Sequence, residues 1–166
     1  MKTLLVMRHA KSAYPPDIAD DFHRPLNKRG RMDAPRMAAL LGSIGMRPQV
    51  VVSSPAVRAA ETASATAAAL ELGAGQVLYD ERLYLASPAS LSRVASEAAD
   101  AVTVQMVIAH NPGVEEWLGT LCGANARMPT AALAALELDL TTWMDLRKGH
   151  GRLQWLIIPR MLRMEA

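Results

Sequence analysis

Apolar residues in this chain gather into short runs, and several of those runs stop abruptly at polar residues. Thr3 to Met7 is a run of strand length, followed by a polar, proline-containing loop from Ala10 to Pro25. A helical stretch is predicted between about Lys28 and Ile44, with a start or a kink at Pro35. After Gly45 and Pro48, the β-branched run Val50-Val51-Val52 reads as a buried parallel strand. A helix from about Ala56 to Leu72 follows, closed by Gly73. A weak strand at Val77 to Tyr79, a helix from about Pro88 to Ala99 and a buried strand at Val104 to Ala109 come next. Pro112 suits the opening of a helix over Gly113 to Leu121. Ala132 to Leu140 and Leu153 to Ile158 complete the strands, with Gly149 and Gly151 marking the turn before the last. Strands alternating with helices predict an α/β fold around a mostly parallel sheet, with helices on both faces.

Composition narrows the picture only a little. The length of 166 residues, 51% of them hydrophobic and 20% charged, fits one domain over 1–166 with its own core. A single cysteine, Cys122, excludes an internal disulfide and the cysteine-rich zinc frameworks. The N-terminal apolar run ends at Arg8-His9, too soon for a signal peptide, and no later run approaches the ~18 apolar residues of a membrane span. A cytoplasmic location is therefore expected. The formal charge is +2, with small basic groups at Arg24, Lys28, Arg29 and Arg31 and at Arg147, Lys148 and Arg152. These groups could attract an anion, or simply be solvated faces. Aromatics do not interleave with them, so nucleic acid is not an expected partner.

Three of the apolar runs end in chemistry. The first runs into Arg8-His9, the second into Ser53-Ser54-Pro55 with Arg58 just inside the next helix, and the third into His110-Asn111-Pro112. In an open α/β sheet the carboxyl ends of parallel strands share one edge, where ligands bind. If these strands are neighbours, two arginines and two histidines converge, beside helix N-termini that offer free N–H groups. Such an assembly is an anion site suited to phosphate. Arginine matches phosphate oxygens with a planar fork, fixed cations stabilise the transferred group, and a neutral imidazole can attack phosphorus. Taken singly, each residue also has a structural reading: a satisfied strand-end histidine, a surface helix arginine, a helix-start turn.

The ordered set of motifs resembles the histidine phosphatase superfamily, the group that includes cofactor-dependent phosphoglycerate mutases. Leu5-Val6-Met7-Arg8-His9 is similar to its opening signature. Arg24-Pro25-Leu26, Arg29-Gly30, Ser54-Pro55, Arg58-Ala59, Glu61-Thr62-Ala63, His110-Asn111-Pro112 and Thr130-Ala131-Ala132-Leu133 resemble the small SixA-like phosphohistidine phosphatase branch. The resemblance implies a three-layer α/β/α, phosphoglycerate mutase-like fold, with His9 as nucleophile and Arg8, Arg58 and His110 completing a catalytic, phosphate-binding pocket. It implies no metal and no organic cofactor. Glycine usually follows the nucleophile in the family, whereas Ala10 stands here, which fits only an ordinary backbone conformation. Mutase-like relatives carry an acidic residue before the second histidine; Glu81 is the nearest candidate for that general acid, and Asp80 the next.

Other motifs carry less. Cys122 to Arg127 has only four intervening residues, one short of a cysteine phosphatase loop, so a buried helix-end thiol is expected. Gly73-Ala74-Gly75 lacks the third glycine of a dinucleotide fingerprint, and no phosphate-binding Gly-x4-Gly-Lys-Ser/Thr loop is present. The histidines show no metal-ligand spacing, leaving His23 and His150 as loop residues and Trp117 and Trp155 as core or core-edge residues. About fifty residues separate Arg58 from His110, and they must also supply a strand and a helix, so a minimal lid is expected. An open site favours protein phosphohistidine as substrate. The alternatives are a broad-specificity phosphomonoesterase acting on small phosphate esters, or a phospho-recognition module without turnover.

Overall fold

Six strands form one sheet in the computed structural model, which describes residues 1–147 and 151–162. They are β1 (Lys2–Arg8), β2 (Val50–Ser53), β3 (Val77–Tyr79), β4 (Val104–Ala109), β5 (Leu133–Leu138) and β6 (Gly151–Ile157), in the order β3-β2-β4-β1-β5-β6. The four strands from β3 to β1 run parallel, as the continuous apolar runs predict, while β5 and β6 join antiparallel. A parallel crossover needs a connection of about a dozen residues or more, usually helical. Between β5 and β6 the described chain carries only a 3-10 turn at Trp143–Arg147, and that edge turns antiparallel.

Four α-helices cover the sheet: α1 (Lys28–Ser43), α2 (Val57–Leu70), α3 (Pro88–Ala95) and α4 (Gly113–Cys122). Strand periodicity divides β1 between two cores. Leu4 and Val6 pack with Leu91, Val94, Trp117 and Leu118 of α3 and α4, whereas Leu5 and Met7 pack with Met37, Leu41, Ala59 and Ala63 of α1 and α2. Three layers result. Trp117 is fully buried and its Nε1–H donates to Ser92 Oγ, while Trp155 packs at the edge of the second core. No described helix is long and apolar enough to cross a membrane.

Several elements differ from the sequence expectation, among them β6, which starts at Gly151 itself rather than at Leu153. Helix α1 starts at Lys28, capped by the Asn27 side chain on Gly30 N–H, and runs through Pro35. Proline there removes one N–H whose acceptor would be the carbonyl of Arg31, an exposed residue. Helix α2 stops before Gly73 because Glu71 itself takes the left-handed conformation, φ 52°. Leu72 then packs onto the second core, which offsets the left-handed cost of about 1–2 kcal/mol. Helix α3 ends at Ala95 rather than near Ala99, where Ser96 Oγ–H turns back to donate to the Arg93 carbonyl.

Candidate active site

The register brings the three chemistry-bearing strand ends side by side. Arg8 pairs with Ala109 across β1 and β4, and Ser53 with Ile108 across β2 and β4. Beyond the strands the ladder continues: His9 N–H donates to the Ala109 carbonyl over 3.1 Å and Ser54 N–H to the Ile108 carbonyl over 3.0 Å. His9, Ser54 and His110 therefore leave the sheet together. Arg58 reaches them from the first turn of α2.

Hydrogen bonding sets both imidazoles. The Ala10 carbonyl can only accept, so the 2.8 Å contact from His9 Nδ1 places a proton on that nitrogen. Arg58 can only donate, so its Nε–H meets a lone pair on His9 Nε2 at 3.3 Å. The same logic applies to His110. Arg58 Nη2–H donates to His110 Nδ1 at 3.3 Å, leaving Nε2–H to donate to Ser54 Oγ at 2.8 Å. The two rings lie 5.0 Å apart between centroids. Burial, first of all, pushes His9 down to about 3 and His110 down to about 4, and the Arg58 charge adds to both. Both rings are neutral at ordinary pH.

Ala10 settles into this frame without glycine's freedom. It is fully buried, its φ is not positive, and its N–H donates to Thr62 Oγ1 over 3.0 Å. Thr62 Oγ1–H in turn donates to the Arg58 carbonyl over 2.7 Å, tying the His9-Ala10 segment to α2. Gly30, by contrast, is required: a Cβ there would stand 2.2 Å from the Lys11 carbonyl oxygen, so α1 can lie against the loop only without a side chain. The motif residues around it serve the same loop. Glu61 accepts Leu26 N–H over 2.6 Å, and Arg24 binds the Ala13 carbonyl and Ser12 while its guanidinium stacks on Tyr14.

Arg8, His9, Arg58 and His110 all line one cavity of about 210 Å³, together with Lys11, Asp21, Arg24 and Thr130. Burial lowers the Arg8 pKa first of all, opposed by Glu115, and Arg8 Nη1–H donates to the Met128 carbonyl over 3.0 Å. Ala131, with φ 62°, turns its N–H onto the carbonyls of Arg8 and His9, 3.1 Å each, and so braces His9 from the β5 side. A larger hollow of about 880 Å³ beside α1 holds Lys28, Arg29, Met32 and Arg36 but not Arg8, His9, Arg58 or His110.

The sequence reading missed Asp21. Its carboxylate receives Arg58 Nη2–H at 2.7 Å, Arg24 Nη1–H at 2.6 Å and the Tyr84 hydroxyl at 2.9 Å. Burial pushes its pKa up, but the bonds from Tyr84, Arg24 and Arg58 outweigh that and hold it at about 2. Asp21 is thus an ionised counterion within the cavity. It sits in a polar loop with no periodicity to mark it. Tyr84, whose ring packs edge-on against His110 at 5.4 Å, was equally unmarked.

Glu81 is not brought to the cavity. It is exposed at the start of a 3-10 turn, Glu81–Leu83, and is absent from the lining residues. Asp80 caps that turn and pairs with Arg82. Leu85 is what that segment contributes to the lining, so little covers the mouth from this side. Among the outlying basic residues, Arg31 pairs with Glu61 at 3.9 Å, and Arg152 lines a separate hollow with Glu137 and Asp139. Lys148, Gly149 and His150 fall outside the described residues. His23 is bonded to Asp20, and Cys122 ends α4 half-buried, its thiol on the Leu118 carbonyl. Among the described residues no group of His, Cys, Asp and Glu is arranged to hold a metal ion.

Comparison with known proteins gives a consistent picture. The profile of the histidine phosphatase superfamily (branch 1) matches residues 4–84. An uncharacterized protein of Mycobacterium tuberculosis is 32% identical, over 93% of this chain and 100% of its own length. The structure assigned as phosphohistidine phosphatase SixA of Agrobacterium tumefaciens superposes with a TM-score of 0.79 at 27% identity, covering 95% of this chain and 98% of that one. The protein histidine phosphatase SixA in complex with tungstate also gives 0.79, at 26% identity over 97% and 99% of the two chains.

Proposed function

The chain belongs to the histidine phosphatase superfamily, in its SixA-like branch, and from that membership we propose that it hydrolyses protein phosphohistidine through a phospho-His9 intermediate. One observation carries the reading. The Ala10 carbonyl fixes the proton of His9 on Nδ1, which turns the Nε2 lone pair toward the guanidinium of Arg58.

In the first step Nε2 attacks phosphorus, the Nε2–P bond forms and the bond to the leaving nitrogen breaks. Arg8, Arg58 and His110 hold the oxygens as charge spreads over them. Water then attacks the phospho-imidazole from the solvent side, inorganic phosphate departs and neutral His9 returns. The oxyanion tungstate in the SixA complex is a fitting stand-in for that phosphate.

Two features support a nitrogen leaving group on a polypeptide. Asp21, the carboxylate of the cavity lining, is held ionised and is a poor proton donor to an alkoxide. A protonated imidazole leaves without such help. The cavity is small and its mouth lightly covered, which suits a side chain presented by another protein.

Rapid acid-free quenching of turnover with labelled phosphohistidine tests the mechanism. Label is expected on His9, in acid-labile form, and absent in His9→Ala. Label on Cys122 or a serine overturns it. Turnover of alkyl phosphates faster than of phosphohistidine overturns the substrate class.

A further inference from the structure

Next to the catalytic cavity lies a groove of about 680 Å³, more than three times its volume. Arg8, Asn111 and Thr130 line both, so the two spaces meet along one seam. One wall is aliphatic: Leu156 from β6, Ile158 just past its end, and Pro159 and Met161 from the 3-10 turn Pro159–Leu162. Met161 is 66% exposed, an apolar side chain left facing solvent beside an active site.

The rim is basic. Arg127 and Arg160 are exposed and make no ion pair among the described residues, whereas Arg29 is bound to Asp33 at 3.3 Å. Glu115, the carboxylate in the lining, is already engaged. Its Oε1 accepts Met128 N–H over 2.7 Å and Asn111 Nδ2–H over 2.9 Å, which also fixes the seam residue Asn111. Among the described residues the groove therefore offers an aliphatic wall and two guanidinium groups without an ion pair, and no aromatic face on which a base could stack.

We propose that this groove docks the polypeptide segment flanking the phosphorylated residue of a protein substrate, a segment with carboxylates for Arg127 and Arg160 and apolar side chains for Leu156, Ile158 and Met161. The inference rests on the phosphatase reading of His9 and adds where that enzyme selects its substrate. A cavity of about 210 Å³ encloses little beyond the phosphoryl group and its ring, so discrimination between phosphoproteins falls to the adjoining surface. Continuity through Arg8 and Asn111 lets one segment hold both sites at once, which raises the effective concentration of the phosphoryl group at His9.

The test uses three substrates: phosphoramidate, a phosphohistidine peptide flanked by Glu and Leu, and one flanked by Lys and Ser. Wild-type protein is expected to favour the Glu/Leu peptide by about tenfold in kcat/KM at low salt, through KM, and to lose that preference as salt screens the rim. The double variant Arg127→Glu, Arg160→Glu removes the preference and leaves phosphoramidate turnover within about twofold; the double lysine variant keeps most of it. Met161→Glu weakens the same peptide through the apolar wall. Equal turnover of the two peptides by wild type, or a preference that survives charge reversal, overturns the docking site. A loss shared equally by phosphoramidate overturns it too, since the arginines then act on the cavity. Phosphoramidate turnover without turnover of either peptide points to a small anionic substrate in place of a polypeptide. No turnover of phosphoramidate by wild type marks failure of the phosphatase reading itself, and binding of the unphosphorylated Glu/Leu peptide, measured by anisotropy, still reads the groove.

Discussion

His9 and His110 face the same guanidinium: Arg58 donates Nε–H to one ring and Nη2–H to the other, each over 3.3 Å. Both contacts are long for hydrogen bonds to nitrogen, and both occupy ring lone pairs of residues that line the cavity. On the proposed mechanism, a phosphoryl group entering between the rings would take over the guanidinium and free Nε2 for attack. The ground state thus holds His9, the proposed nucleophile, neutral and aimed.

Neutrality has a measurable pH signature. His9 is lowered from 6.5 to about 3 and His110 to about 4, in each case chiefly by burial. NMR titration of the free protein should show both rings unchanged from pH 8 to pH 5, with protonation beginning only below that. Stability follows with a definite sign. The unfolded state takes up protons below pH 6.5 that the folded state refuses, so stability is lost as pH falls from about 6.5 toward 3. A ring titrating near 6.5 contradicts the buried geometry.

Arg58→Ala should lower kcat by about 10²–10³, the scale of losing one charge-stabilising donor. Arg58→Lys should rescue little, because one ammonium cannot span His9, His110 and Asp21 together. Asp21 retains Arg24 and Tyr84 in the alanine variant, so the melting temperature should hardly move. Loss of less than about threefold, measured at saturating substrate, would mean that the guanidinium is structural.

Asp21→Asn removes an anion from the pocket wall. Inhibition by tungstate or vanadate should tighten by about three- to tenfold, because the carboxylate and the oxyanion compete for Arg58. Turnover should fall at the same time, since Arg58 loses a partner that orients it. Weaker oxyanion inhibition would show that the orientation of Arg58 outweighs the repulsion.

Glu81→Gln should leave alkyl phosphate, activated aryl phosphate and phosphohistidine hydrolysis within about twofold of wild type, as its exposed position outside the cavity lining requires. A selective loss on the alkyl ester, of the 10²–10⁴ typical of general acid catalysis, would return Glu81 to the chemistry through movement of its turn.

What could be read from the sequence was what regular structure encodes. Apolar runs that end in Arg8-His9, Ser53-Ser54 and His110 locate strands and their carboxyl ends, and parallel register does the rest. Asp21 and Tyr84 could not be read this way. Each reaches the site from a segment whose path depends on bonds to distant residues: Asp21 on Arg58, and Tyr84 on Asp21, 63 positions away. Glu71 was hidden for a related reason, because a left-handed turn usually advertises itself with glycine and here does not. The antiparallel edge was equally silent, as alternation in β5 and β6 sets which side chains face inward but not which way a strand runs.

Strand β1 has neighbours on both sides and cores on both faces, and Leu4 to Met7 have no solvent exposure at all. Their amide protons can exchange with water only when the whole sheet opens. The Ala10 to Pro25 loop has one isolated bridge, from Ser12 to Leu26, and is otherwise held largely by side-chain bonds from Thr62, Arg24, Arg58 and Tyr84, so its amides belong to a more local opening. His9, the proposed nucleophile, therefore directly follows the most deeply buried strand, whereas Asp21 is held by side-chain bonds within a loop. On the proposed mechanism, a phosphoryl group would displace Asp21 by a rearrangement confined to that loop, while His9 keeps its place beside the sheet.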